Sequence, residues 1–192
     1  MIEELLKYDT ELFLFLNQLG SEPWDLLWQI ITNKLTFIPL YALMLFLVYK
    51  YYGLKGMLVI IFSAAVMITF ADQLANLFKH GFQRPRPCQE ESLQNLMRHV
   101  VENCGRYGYF SGHAVNAMAT AVFIGLLLKD KFKYLPFILL FWASFVAYSR
   151  IYVGVHYPLD VITGMFFGGI IGWLFYRLQL ILQRRFVKNY ES

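Results

Sequence analysis

Three stretches of this 192-residue chain carry side chains suited to holding and transferring a phosphoryl group. Lys79 stands ahead of Arg86, Ser111, Gly112 and His113 run together, and Ser149 and Arg150 are followed by His156 and Asp160. Lys79, Arg86 and Arg150 supply positive charge, and the two arginines offer paired donors that match phosphate oxygens. Ser111 is predicted to cap a helix, so that the N–H groups of Gly112 and His113 face outward at the positive end of its dipole, a natural seat for an anion. Pro158 suits the first turn of another helix, which sets His156 just before it and Asp160 within it. The carboxylate then accepts the proton on one ring nitrogen and leaves the other free to attack phosphorus. His113 is the candidate general acid for the departing oxygen.

The elements that must position these groups are membrane helices. Hydrophobic residues make up 58% of the chain and charged residues only 16%, a balance that a soluble domain of this size does not need. The apolar residues fall in separate runs, each about 20 residues long, the length that crosses a bilayer. Spans are predicted over about Leu35 to Tyr52, Met57 to Phe78, Gly112 to Leu128, Tyr134 to Val153 and Leu159 to Leu182. The first two form a helical hairpin, and Asp72, Gln73 and Asn76 near the end of the second point to protein or water rather than lipid. Gly164, Gly168, Gly169 and Gly172 in the last span let neighbouring helices approach closely. Ile2 to Leu19 has an apolar face of Ile2, Leu5, Leu6, Leu12, Phe13 and Leu16 but also carries Lys7, Asp9 and Glu11, which suits an interfacial helix. The expected fold is therefore all-α: a polytopic transmembrane helix bundle of five spans, or six if the region before Leu35 adds one. It is expected to form one domain over residues 1–192, with residues 79–110 as its long loop.

The turn with Lys50 and Lys55, the turn with Lys129, Lys131 and Lys133, and the tail with Arg177, Arg184, Arg185 and Lys188 share one side of this topology. By the positive-inside rule that side is cytoplasmic, so all three chemical clusters converge on the extracytoplasmic face. Cys88 and Cys104 both lie in the loop on that face, where a disulfide fits an oxidising compartment, although spacing alone leaves two free thiols open. None of the four histidines, His80, His99, His113 and His156, pairs with another at the spacing that sets two metal ligands on one helix face. The net charge of +4 is divided between the two membrane faces, which favours anionic headgroups and phosphate over nucleic acid as partners.

The clusters resemble the three motifs of the type-2 phosphatidic acid phosphatase superfamily. Lys79 through Arg86 and Pro87 match K-x6-R-P, Ser111, Gly112 and His113 match most of P-S-G-H, and Ser149, Arg150, His156 and Asp160 match S-R-x5-H-x3-D. Phe110 departs from the pattern, standing where the family usually has proline; the change removes no functional group. The resemblance implies a phosphohistidine intermediate on His156 supported by Asp160, proton donation by His113, and phosphate binding by Lys79, Arg86, Ser111, Gly112 and Arg150, with no metal and no other cofactor. It also implies an integral protein of a bacterial inner membrane that hydrolyses a lipid phosphate or diphosphate: undecaprenyl diphosphate, phosphatidylglycerol phosphate, phosphatidic acid or lipid A. Arg84, Arg98 and Arg106 in the loop are candidates for a second phosphate or a sugar headgroup. Two further readings stay open, a lipid phosphotransferase and a non-catalytic membrane anion-binding protein.

Overall fold

The chain is described here by a computed structural model that covers residues 1–101 and 104–186, without the side chain of the last; Lys188, counted above in the basic tail, lies outside the described residues. Six α-helices follow in order: α1 (Ile2–Gln18), α2 (Glu22–Thr32), α3 (Ile38–Phe82), α4 (Gly112–Leu128), α5 (Leu135–Tyr152) and α6 (Pro158–Phe186). At about 1.5 Å per residue, the 45 residues of α3 would exceed twice the thickness of a bilayer core if the helix were straight. It is not straight, because Gly53 has φ +64°, a left-handed conformation that an L side chain resists. The chain reverses there, and Tyr41, Met44 and Val48 of the first arm line one groove with Ile60, Ala64 and Met67 of the second. The expected hairpin is present. Its second arm runs past the predicted end at Phe78 to Phe82, so Lys79 belongs to a helix and the loop proper begins at Gln83.

The two arms of α3 with α4, α5 and α6 give five apolar helical segments. Large side chains such as Phe62, Phe70, Phe141, Phe166 and Ile162 are exposed along them, as expected of surfaces that meet lipid. The central contact is α4 against α6. A Cβ on Gly164, Gly168 or Gly172 would come within 2.8 Å of a carbonyl oxygen of α4 or of its cap, so the two backbones touch along this stripe. Gly169 faces open space and takes no part in it.

In the region before Leu35, α1 and α2 both carry charges, and neither is among the helices apolar enough to count with the five segments. The face of α1 that meets the protein mixes apolar and polar residues. Its buried residues are Asp9, Phe13 and Asn17, spaced four apart, whereas Ile2, Leu5, Leu6 and Leu12 are exposed. Most of the apolar stripe therefore turns away from the bundle while Phe13 and Leu16 pack into it, and Asp9 and Asn17 are satisfied inside it. Asn17 donates to the carbonyls of Arg98, Ile151 and Tyr152 and accepts from the Arg98 N–H at 2.7 Å. In α2, Trp28 stacks on Tyr152 of α5 with ring centroids 4.9 Å apart, while Trp24 remains exposed.

The loop between α3 and α4 doubles back on itself. Pro85 and Tyr107 form an isolated antiparallel bridge, Arg86 N–H donates to Arg106, and Gly108 N–H donates to Arg84 at 2.9 Å. Cys88 and Cys104 form a disulfide that ties the two limbs together. This settles the cysteine alternatives in favour of the bond. The pair also lies beside His99, and among the described residues these three make the one grouping of potential metal ligands; both sulfurs are engaged with each other.

Candidate active site

The turn between α5 and α6 brings the residues of the third cluster together. The Arg150 carbonyl accepts the N–H groups of both Val155 and His156, which folds the chain back over the end of α5. Pro158 opens α6, as expected of a residue with no N–H to lose at that position. Asp160, one helical turn beyond His156, turns its carboxylate back to the ring: His156 Nδ1 to Asp160 Oδ2 is 3.2 Å. The same oxygen accepts the Tyr157 N–H at 3.1 Å, and Oδ1 accepts from Arg84 at 3.1 Å. With Nδ1 donating to a buried carboxylate, Nε2 of His156 carries the free lone pair.

Ser111 caps α4 through its hydroxyl, which accepts the Ala114 N–H, and its own N–H donates to the Asp160 carbonyl at 3.0 Å. The second and third clusters are thus joined through the backbone. A Cβ on Gly112 would lie 3.6 Å from Lys79 Nζ and 3.9 Å from Asp72 Oδ1, which puts the lysine beside the start of the helix. Gly108 reaches the pair from the loop side. A Cβ there would meet Asp160 Oδ2 at 2.9 Å, Arg86 Cγ at 3.2 Å and His156 Nδ1 at 3.5 Å, so only a residue without a side chain fits.

The first, second and third clusters therefore meet, and their charges act on one ring. His156 is buried, which holds its pKa well below the ordinary histidine value, and the positive charges of Arg86, Arg150, Lys79 and Arg84 push it further down. Burial also lowers Arg86 from its usual value while Asp160 opposes the shift; its Nε donates to the Tyr107 carbonyl at 2.9 Å. Arg150 is 8% exposed and bonds Thr32 through Nη1, but its buried Nε has no partner. An unpartnered buried donor beside a histidine ringed by cations is the arrangement that an anion would satisfy. His113, in the first turn of α4, lines an adjoining cavity with Thr32, Lys34, Asp72 and Asn116.

Two loop arginines have other work than a second phosphate. Arg84 is held between Asp160 and Asp9, which it meets at 2.7 Å, and its guanidinium lies 4.0 Å over the Tyr157 ring. Arg98 pairs with Asp25 at 2.8 Å. Both side chains are committed to carboxylates of the chain itself. Arg106 lies over the Tyr107 ring at 5.2 Å and, among the described ion pairs, makes none. In the sequence Asp9 stands out only as a charge on the first helix and Thr32 not at all, since both come from the N-terminal helices, far from every motif; a charged residue on a helix otherwise turned to lipid is the signal that ties Asp9 to a buried partner.

Comparison with known proteins gives the family. The chain is 36% identical over 179 residues to a lipid A 4'-phosphatase of Bacteroides thetaiotaomicron, covering 92% of this chain and 79% of that one. It is 30% identical over 190 residues to a lipid A 4'-phosphatase of Porphyromonas gingivalis, covering 97% and 79%. Among solved structures, a transmembrane PAP2-type phosphatidylglycerolphosphate phosphatase from Bacillus subtilis superposes with a TM-score of 0.75 at 19% identity, over 94% of this chain and 89% of that one, a likeness of fold. Residues 58–184, which include every motif described above, match the PAP2 superfamily, and to that superfamily the chain belongs.

Proposed function

We propose that this membrane lipid phosphatase works through a phosphohistidine on His156, at the extracytoplasmic face of the bilayer, without a metal. Nε2 of His156 attacks phosphorus in line with the bond to the leaving oxygen. The N–P bond forms as the P–O bond breaks, and His113 gives its proton to the departing alkoxide. The ring then carries positive charge, which the Asp160 carboxylate balances through Nδ1–H. In the second step His113, now a base, takes a proton from water; the hydroxide attacks phosphorus, the N–P bond breaks, and inorganic phosphate leaves with His156 restored. Arg86, Arg150 and Lys79, with the N–H groups at Gly112 and His113, hold the non-bridging oxygens in both steps.

The observation that carries this reading is the His156–Asp160 contact inside a ring of cations, with Arg150 Nε buried and unpartnered. The orientation is supported by the basic end of the bundle. Lys50 and Lys131 lie over the Tyr51 ring, and Lys129 lies near Tyr176, so the lysine-rich turns gather at the opposite end from His156. The relatives above make a lipid A 4'-phosphate the first substrate to try, ahead of undecaprenyl diphosphate, phosphatidylglycerol phosphate and phosphatidic acid.

Phosphate release by the detergent-purified protein in EDTA tests the proposal. Wild-type protein is expected to turn over at least one of these lipids and to carry a trappable phosphohistidine, and His156→Ala to do neither. Substantial turnover by His156→Ala, or a rate lost in EDTA and restored by a divalent ion, would overturn the mechanism. Phosphate passed to an added alcohol in preference to water would make the enzyme a transferase.

A further inference from the structure

Asp9 stands outside every motif and outside the matched residues 58–184, yet both of its side-chain oxygens are bonded to groups around the catalytic dyad. Its Oδ2 accepts from Arg84 Nη2 at 2.7 Å, and its Oδ1 accepts the Leu159 N–H at 2.8 Å. The Arg84 guanidinium continues through Nη1 to Asp160 Oδ1 at 3.1 Å, and Asp160 Oδ2 meets His156 Nδ1. A line of four groups therefore runs from the first helix to the nucleophile: carboxylate, guanidinium, carboxylate, imidazole. The side chains of Asp9, Arg84 and Asp160 are 15% exposed or less, so water and salt screen their charges little. Burial raises the Asp9 pKa from the ordinary carboxylate value, and the bonds from Arg84 and Leu159 oppose the rise. With a donor at each oxygen, Asp9 is held as the anion.

The positive charge of Arg84 is what gives Asp9 a task. In the proposed mechanism the His156 ring becomes cationic on phosphorylation, and every nearby cation opposes that change. Arg86, Arg150 and Lys79 are compensated by the phosphoryl group that they hold. Arg84 is not, because both terminal nitrogens are spent on carboxylates of the chain and its face lies 4.0 Å over the Tyr157 ring. Its grip orients the Asp160 carboxylate and, left alone, would also cancel the negative charge that the ring needs. A second carboxylate on the far side of the guanidinium removes that conflict. Asp9 and Arg84 together are neutral, and Asp160 keeps its charge for His156.

We infer that Asp9 is a positioning residue for phosphoryl transfer: it neutralises the guanidinium that grips Asp160, so that the partner of the nucleophile is fixed in direction without losing its charge. The N-terminal helix is thereby part of the active site, although Asp9 acts on His156 only through two other side chains. The bond from the Leu159 N–H serves a different end, since it ties α1 to the first turn of α6 and needs only an acceptor oxygen. The inference rests on the roles proposed for His156 and Asp160.

A double-mutant cycle on the full chain in detergent separates the two ends. Phosphoenzyme formation from p-nitrophenyl phosphate is timed by rapid quench in wild type, Asp9→Asn, Arg84→Gln and the double variant, with thermal midpoints to check the fold. Asp9→Asn keeps an oxygen for the Leu159 N–H and loses the charge. It is expected to slow phosphoenzyme formation by about tenfold or more when Arg84 is present, and by less than about threefold in the Arg84→Gln background, where no guanidinium charge is left to neutralise. A folded Asp9→Asn protein within about threefold of the wild-type rate overturns the assignment without the cycle. Costs that agree within about threefold in the two backgrounds overturn it too, because Asp9 would then act through its tie to α6 alone. If Asp9→Asn does not fold by itself, the double variant decides: slower than Arg84→Gln by about threefold or more overturns the assignment, and any faster rate upholds it. Phosphoenzyme formed by His156→Ala would instead bring down the catalytic reading beneath it.

Discussion

Replacing Asp160 by asparagine keeps the size of the side chain and forces a choice that the structure makes unfavourable either way. Oδ2 accepts from both His156 Nδ1 and the Tyr157 N–H, and Oδ1 accepts from Arg84. An amide has one oxygen and one NH2 group. With the NH2 toward Arg84, two donors face each other at a separation near 3.1 Å, and a neutral group is left to balance the ring that becomes cationic on phosphorylation. With the NH2 toward His156, it also faces the Tyr157 N–H, and Nδ1 must accept; the ring proton then sits on Nε2, the atom that attacks. Loss of a charge-assisted bond costs about 1–2 kcal/mol more than loss of a neutral one. Blocking the nucleophilic tautomer adds roughly 2–3 kcal/mol, which brings the total toward the roughly 10⁴-fold fall seen when an orienting carboxylate is neutralised in other oriented-nucleophile sites. The sum, about 3–5 kcal/mol, corresponds to a roughly 10²- to 10⁴-fold fall at ~1.4 kcal/mol per decade. Rapid-quench measurement of phosphoenzyme formation on an aryl phosphate reads this step directly, and the thermal midpoint checks the fold. A folded Asp160→Asn protein that forms phosphoenzyme within tenfold of the wild-type rate would refute the reasoning.

Gly108→Ala should lower kcat by about tenfold or more with little loss of folded protein, because its Cβ would come 2.9 Å from Asp160 Oδ2 and displace the carboxylate from His156; steady-state kinetics on purified protein checks this. Asp9→Ala removes the acceptor of both Arg84 and the Leu159 N–H, at 2.7 and 2.8 Å, and should destabilise the fold by about 2–4 kcal/mol, read as a lower thermal midpoint in detergent. The His156 pKa is held well below its ordinary 6.5, so the nucleophile stays neutral through mildly acidic pH and the acid limb of kcat/KM should show no break near 6.5 assignable to it. The sign for stability follows: His156 protonates in the unfolded chain first, so stability is full above pH 6.5 and is lost as pH falls from there toward the depressed folded value, by up to ~1.4 kcal/mol per unit, which midpoints measured against pH will show.

The site was legible in the sequence where its parts are local. Ser111 as a cap and His156 with Asp160 across one helical turn follow from spacings of a few residues, and the structure has both contacts. Lys79, Arg86 and Arg150 meet because the ends of the apolar runs alternate between two membrane faces, which hydropathy also gives. Arg84 was misassigned for a physical reason: from sequence a loop arginine has no visible partner, and Asp9 lies 75 residues away on another helix. The same holds for Arg98 and Asp25. The apolar stripe of α1 divides: Ile2, Leu5, Leu6 and Leu12 stay exposed while Phe13 and Leu16 pack on the protein, and nothing in the apolar spacing marks Asp9 and Asn17 as the polar part of that buried face. The chamber beside His113 draws on residues from five elements and has no linear signature at all.

The Asp9–Arg84–Asp160 chain of charges has a consequence for the order in which the enzyme comes into being. Residues emerge from the ribosome from the N-terminus onward, so Asp9 is made long before either group it serves. Arg84 arrives with a group of opposite charge already made, and neither is fully satisfied until α6 is threaded into the bilayer and delivers Asp160 and the Leu159 N–H. The carboxylate that orients the nucleophile is therefore the last charge to join, and the helix that carries it closes the bundle against α4. On the proposed mechanism, a partly inserted chain holds cations that would attract phosphate but lacks the dyad that would cleave it.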